Sequence, residues 1–296
     1  MKIAVGFFDG VHLGHRRILG GADAAVTFRS HPSSLLAPER TPRLIMPLRE
    51  RLASIAEALR PQKPQCPRTM ALEFDDAMKN MSPGEFVSLL KREFPEIEAI
   101  RCGHGWRFGA GGAGNADVAR GLGLAVEEVP FVTYAGEAVS STRIRRALTA
   151  GEVEDAAAML GRPWRFFGRV FAGKGEGRKL GFPTVNMRPP EGMVRLRRGV
   201  YAVETSWGPG VANWGEAPTM GAAAWDECTF EVHLLDADRS FAPPEEMTVD
   251  VCRFIRPERM FPSRAALAEQ IAADCAAVRF FMKDAFATCG DGAVMT

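Results

Sequence analysis

Apolar positions along this chain follow two regimes, and the change falls near the middle. In the first half, short apolar runs alternate with stretches of helical spacing. Ile3, Val5, Phe7 and Phe8 open the chain as a buried strand, and Asp9-Gly10 turns it. A brief helix follows His15, because Gly20-Gly21 stops it. Ala24 to Phe28 reads as a second strand, and Met70, Leu72 and Phe74 alternate as a strand does. Ile97 to Arg101 and Ala125 to Val129 are two more. Between them, Leu48, Leu52, Ile55 and Leu59 recur at helical spacing. Ser82-Pro83-Gly84-Glu85 is a capping box with proline at the first helical position, opening a helix with Phe86, Leu89, Leu90 and Phe94 on its apolar face. Strands alternating with helices predict a parallel sheet covered by helices.

Thr142 to Ala150 and Glu152 to Leu160 read as two short helices, with Gly151 and Gly161 where C-terminal glycines belong. After Gly161-Arg162-Pro163 the helical periods give way to closely spaced strands: Trp164 to Phe171, Gly199 to Thr205, Gly210 to Asn213, Thr229 to Leu235 and Met247 to Ile255. Turn-rich connections between them predict an antiparallel barrel. One amphipathic helix closes this half, with Ser263 as N-cap and Leu267, Ile271, Cys275 and Val278 as its core stripe. The expected organisation is therefore residues 1–161, residues 162–287 and a flexible tail of 288–296.

Composition narrows the class. Of 296 residues, 46% are hydrophobic and 25% charged, which describes a globular chain long enough for two domains. The net charge of +1 gives no electrostatic reason to expect nucleic acid or a membrane surface as partner. Cys66, Cys102, Cys228, Cys252, Cys275 and Cys289 form no C-x-x-C pair, so neither zinc nor a disulfide framework is expected, and a reducing cytoplasm fits. Asp9 and His12 interrupt the first apolar run too early for a signal peptide, and no segment is long and apolar enough to span a bilayer.

Four stretches carry chemistry. In G-F-F-D-G-V-H-L-G-H, residues 6–15, His12 and His15 follow a strand and a tight turn. Amides freed at a helix start, with two imidazoles, can hold phosphate oxygens. A strand end carrying one core and one solvent histidine is the plain alternative. In V-S-S-T-R-I-R, residues 139–145, Ser140 and Ser141 can cap the next helix while Thr142 and Arg145 reach an anion at its N-terminus. Simple capping is the alternative there. The loop from Gly103 to Gly114 is too glycine-rich for a regular element, so it either approaches a ligand closely or merely moves.

In the second half, G-K-G-E-G-R-K-L-G-F-P-T-V-N runs from Gly173 to Asn186. Its alternating Gly173, Gly175 and Gly177, with Lys174, Arg178 and Lys179, can surround phosphates, although the spacing is not that of a P-loop. A basic hairpin tip turning at Pro183 is the alternative. Thr184 and Asn186 lie two apart on extended chain, so both oxygens can face one side and suit Mg²⁺. Glu231 shares a strand face with His233, opposite Phe230, Val232 and Leu234. A carboxylate turned into a barrel is costly unless used or paired. A surface cross-strand ion pair is its commoner fate.

These motifs, with T-F-R-S-H-P, W-R-F-G, G-V-Y-A-V, N-W-G-E-A-P-T, F-E-V-H-L-L-D and I-R-P-E-R-M-F, stand in the order seen in the bacterial bifunctional riboflavin kinase/FAD synthetases, which the chain resembles over nearly its whole length. The resemblance implies an α/β N-terminal domain of Rossmann-like nucleotidyltransferase type and a mainly β C-terminal riboflavin-kinase barrel with a terminal helix. It implies that Gly6, Phe7, Asp9, Gly10, His12, His15, Ser140, Ser141, Thr142 and Arg145 bind ATP for adenylyl transfer to FMN, with His12 and His15 stabilising the transition state. It implies that Thr184 and Asn186 hold Mg²⁺ and the kinase ATP, with Gly173, Lys174, Gly177 and Gly181 around the phosphates. Glu231 becomes the base for the riboflavin 5′-hydroxyl, and Asn213 and Arg256 lie on the flavin side. The implied partners are ATP, riboflavin, FMN and FAD, with flavin as substrate and product, no nucleic acid, no membrane, and a homo-oligomer left open. Gly105 and the Ala/Gly-rich loop after Gly109 depart from the family pattern. The alternatives are thus a riboflavin kinase with a weak or inactive adenylyltransferase half and a non-catalytic flavin-binding regulator.

Overall fold

The computed structural model describes residues 1–59, 68–173, 177, 180–216, 228–237 and 241–289. The chain divides into two compact units, Met1–Arg145 with Met159–Gly161, and Arg146–Ala158 with Arg162–Thr296.

The first unit is built on β1 (Lys2–Val5), α1 (Leu13–Leu19), β2 (Ala24–Phe28), α2 (Ser33–Leu36), α3 (Leu48–Leu59), β3 (Arg68–Leu72), α4 (Asp76–Asn80), α5 (Pro83–Glu93), β4 (Ala99–Gly103), α6 (Ala116–Gly121) and β5 (Ala125–Val129). The sheet is parallel, in the order β3-β2-β1-β4-β5. The order reverses at β1, so the crevice beyond the carboxyl ends of β1 and β4 is where such sheets take ligands. The Ser82 capping box forms as expected, with Ser82 Oγ accepting from the Glu85 amide and Glu85 Oε2 from the Ser82 amide. It starts α5, whose Phe86 and Leu90 join Ile3, Val26, Ile100 and Phe94 in the core. β3 stops at Leu72, short of Phe74, and β4 is shifted two residues past the expected segment. A two-stranded ribbon, β6 (Thr133–Tyr134) and β7 (Glu137–Ala138), lies ahead of α7 (Ser141–Ala150) and α8 (Val153–Leu160).

The second unit is a closed barrel of β8 (Trp164–Phe171), β9 (Val185–Arg188), β10 (Gly199–Thr205), β11 (Gly208–Glu216), β12 (Cys228–Leu234) and β13 (Glu246–Arg256), ordered β10-β11-β12-β9-β8-β13. Its interior is filled by aromatic side chains: Phe166 lies 4.6 Å from Phe230 and 6.0 Å from Trp214 by ring centroids, and Tyr201 is fully buried. A barrel this small has no room for a ligand inside. Glu231 therefore stands on the outer face, which corrects the weighing of an inward carboxylate. A C-terminal helix (Arg264–Cys289) covers part of that face, packing Val278 and Met282 on Val200, Ala202 and Val211. Ser263 caps it, accepting from the Ala266 amide at 3.1 Å. The helix continues through Thr288 and Cys289, and 290–296 lie outside the described residues.

Candidate active sites

The turn after β1 is strained and sealed. Phe8, Gly10 and Val11 have φ of 57°, 81° and 41°, a region glycine tolerates but a β-branched residue avoids. Each non-glycine residue there costs about 1–3 kcal/mol, held by surroundings that leave Phe8 and Val11 no room to relax. Asp9 lies at the centre. Its carboxylate accepts from the Ile45 amide at 3.0 Å and pairs with Arg145 at 2.6 Å, and its carbonyl accepts from Ser141 Oγ at 2.9 Å. Asp9 thus joins the β1 turn to the start of α7, and Arg145 is further fixed by its Nε donating to the Arg43 carbonyl at 2.7 Å. Asp9→Ala removes the carboxylate partner of the largely buried Arg145 and should lower the unfolding free energy of this unit by about 3 kcal/mol, read by urea denaturation.

The expected histidine pair is assembled. His12 is the N-cap of α1, its Nδ1 accepting from the His15 amide at 3.3 Å. In the neutral ring the proton then sits on Nε2, which can donate to a phosphate oxygen. The His12 and His15 rings stack at 3.6 Å with 18° between planes. Burial, then His12, then Arg145, holds the His15 pKa well below the usual value, so the ring is neutral at pH 7. His15 Nδ1 is buried without a hydrogen-bond partner among the described residues. Ser140 Oγ accepts from the Arg143 amide at 3.3 Å and caps α7, while Thr142 is exposed at its first turn. The Gly6 amide donates to the Val26 carbonyl, and the Phe7 carbonyl accepts from Thr27, fixing the exit of β1.

Residues expected to serve the kinase converge across three strands. Asn186 on β9 is the register partner of Glu231 on β12, which is the partner of Asn213 on β11. Thr184 immediately precedes β9. Asn186 and Thr184 share a face because Val185 and Met187 turn to the core. A side chain at Gly173 would overlap the Asn186 amide, and one at Gly177 would overlap the Phe182 carbonyl, so both glycines allow backbone to close on this corner. Gly181 has φ of 89°. Lys174, Arg178 and Lys179 lie outside the described residues. Burial raises the Glu231 pKa, with the Glu258 carboxylate adding to it, and no cation pairs with Glu231 among the described residues. A cavity of about 800 Å³ adjoins Thr184, lined by Phe182, Leu234, Leu235 and Phe241 among others. Arg256 is committed elsewhere: it makes three hydrogen bonds of 2.7–3.1 Å to the buried Asp274 on the C-terminal helix. The Asp274 pair uses its Nε and one terminal nitrogen.

A family model for riboflavin kinase matches residues 160–282, and one for FAD synthetase matches 1–143. The bifunctional riboflavin kinase/FMN adenylyltransferase of Pseudomonas fluorescens is 34% identical, over 93% of this chain and 91% of its own. Those of Escherichia coli strain K12 and Bacillus subtilis are 31% and 30% identical, each over 94% of this chain and 92% of its own. The chain belongs to this family. A Streptococcus pneumoniae crystal structure described as a macrolide-efflux protein superposes with TM-score 0.81 at 25% identity, covering 94% of this chain and 93% of that one. The efflux description remains with that protein. Among the described residues of this family member, no helix is long and apolar enough to cross a membrane.

Two further side chains pack at the β1 exit without having been named as site residues from the sequence. Arg51 is fully buried on α3, donating to the Phe28 and Arg29 carbonyls and lying 3.9 Å over the Phe7 ring. Burial lowers its pKa to about 10, and Asp9 opposes that. It shares a helix face with Ile55 and Leu59, where apolar periodicity gives an arginine no signal. His31, inside T-F-R-S-H-P, edges Phe7 at 4.7 Å and accepts from the Ser33 amide.

Proposed function

We propose that this chain makes FMN from riboflavin and ATP in its second unit, and FAD from FMN and a second ATP in its first, releasing pyrophosphate. The domains are assigned as residues 1–161 for adenylyl transfer and 162–287 for the kinase. The observation that carries the reading is the line Asn186–Glu231–Asn213 across β9, β12 and β11, in one chain with the stacked His12–His15 pair. In the kinase, Glu231 takes the proton of the riboflavin 5′-hydroxyl as that oxygen attacks the γ-phosphorus and ADP leaves. A carboxylate made more basic by burial suits that role near neutral pH.

The Thr184 hydroxyl and Asn186 amide oxygen are hard donors on one face, which fits Mg²⁺ with the ATP phosphates. When bound, Mg²⁺ neutralises charge on the transferred phosphoryl group. The cavity beside Thr184 suits the nucleoside of that ATP. In the first unit, the FMN phosphate oxygen attacks the α-phosphorus. His12, neutral His15, the α7 N-terminus and Arg145 hold the reacting phosphates in place, so catalysis is positioning and charge stabilisation without a covalent nucleophile. A reducing cytoplasm is the setting we propose.

Riboflavin, ATP and Mg²⁺ should yield FMN and then FAD on chromatography. FMN alone would leave only the kinase, and unchanged riboflavin would leave a binding protein. The raised Glu231 pKa predicts a pH dependence. The base works only when ionised, so kinase kcat/KM should fall as pH drops through a point above the ordinary glutamate value of about 4.3. A pH–rate profile with its acid limb at or below that value would contradict this.

A further inference from the structure

Glu258 lies just past the end of β13, two residues beyond the anchored Arg256 and next to Pro257, whose ring fixes its own φ. It carries no ion pair among the described residues. Its polar partner there is the amide of Asn213, whose Nδ2 donates to Glu258 Oε1 at 3.3 Å. The carboxylate also occupies the space that Gly215 leaves. A Cβ on Gly215 would overlap Glu258 Oε1, and would lie 2.8 Å from Glu258 Cδ and 3.0 Å from Asn213 Nδ2. The glycine of N-W-G is thus required for a close approach by a side chain from another strand end. Asn213 and Gly215 stand on one face of β11, two residues apart, and Asn213 is in register with Glu231. Because Asn213 bonds Glu258 and stands in register with Glu231, the two carboxylates lie on the same side of the barrel.

We infer that Glu258 is a positioning residue for the kinase site, holding the Asn213 amide in one of its two flipped orientations and so fixing whether that side chain offers oxygen or N–H to the substrate. An amide can rotate half a turn and exchange acceptor for donor. One hydrogen bond to a carboxylate selects between the two, and Gly215 is the space that lets it form. The substrate edge recognised would be a polyol or imide, both of which riboflavin presents. This rests on the riboflavin kinase reading.

The test uses the full chain and steady-state kinase kinetics with riboflavin and ATP varied separately. Glu258→Ala should raise the riboflavin KM about tenfold and leave the ATP KM unchanged. Glu258→Gln keeps an acceptor oxygen and should restore the riboflavin KM close to wild type. Gly215→Ala should match Glu258→Ala, and adding it to Glu258→Ala should cost little more, because both remove the same contact. An unchanged riboflavin KM in Glu258→Ala would overturn the inference. So would equal rises in both KM values, failure of Glu258→Gln to rescue, or simple additivity of the two variants. A wild-type chain that does not phosphorylate riboflavin would remove the kinase reading itself.

Discussion

Glu231→Gln should lower the rate of FMN formation by about 10²–10⁴-fold while FMN is still converted to FAD. The substitution keeps side-chain volume and the β9–β12–β11 ladder, so only the proton acceptor is lost. The amide cannot take the 5′-hydroxyl proton. It also needs no ionisation, so the residual rate should lose the acid limb expected of the wild type. The binding constant for ATP should change little, since Thr184 and Asn186 are untouched. Supplying FMN directly bypasses the kinase, and adenylyl transfer should proceed at the wild-type rate. Loss of both activities would mean that the two sites are not separable. Retention of FMN formation would remove Glu231 as the base.

The opposite split is expected at the other site. His12→Ala with His15→Ala should reduce FAD formation by about 10³-fold or more and leave riboflavin phosphorylation intact. Two ring donors would be gone from a buried corner where charge develops on phosphate oxygens. His12 also caps α1, and losing a cap costs about 1 kcal/mol, so a structural effect must be separated from a chemical one. His12→Asn does this. Asparagine is a good N-cap but lacks a donor where His12 Nε2 stands, so the helix should be kept and the activity still lost. Full FAD synthesis by His12→Asn would assign the residue to capping alone.

Much of this architecture is legible in local pattern. The alternation of strand and helix in the first half, and the run of strands in the second, give the parallel sheet and the barrel, although the division into units falls inside α7, with Arg146–Ala158 in the second; the Ser82 box gives the start of α5 to the residue. β9 escaped as a strand because it is four residues long and follows a glycine- and proline-rich loop, although Thr184 and Asn186 were placed on extended chain. β6 and β7 are two residues each, below any periodic signal. At the sites, residue types with a chemical signature were readable: His12, His15, Thr184, Asn186 and Glu231. Residues defined by distant partners were not. Asp9 reads as a turn residue, yet its carboxylate reaches Ile45 and Arg145, and the second of these contacts spans 136 positions. Glu258 acquires a role only because Gly215 lies opposite it, and Arg256 is taken by Asp274 eighteen residues on.

The central claim is that one chain directs two nucleophiles to two different phosphorus atoms of ATP. Phosphorus-labelled ATP tests it directly. With riboflavin as the only flavin supplied, label at the γ-position should appear in FMN and pass into FAD. Label at the α-position should be absent from FMN and present in FAD, with unlabelled pyrophosphate released. FAD lacking the α-label, or FMN lacking the γ-label, would contradict the account.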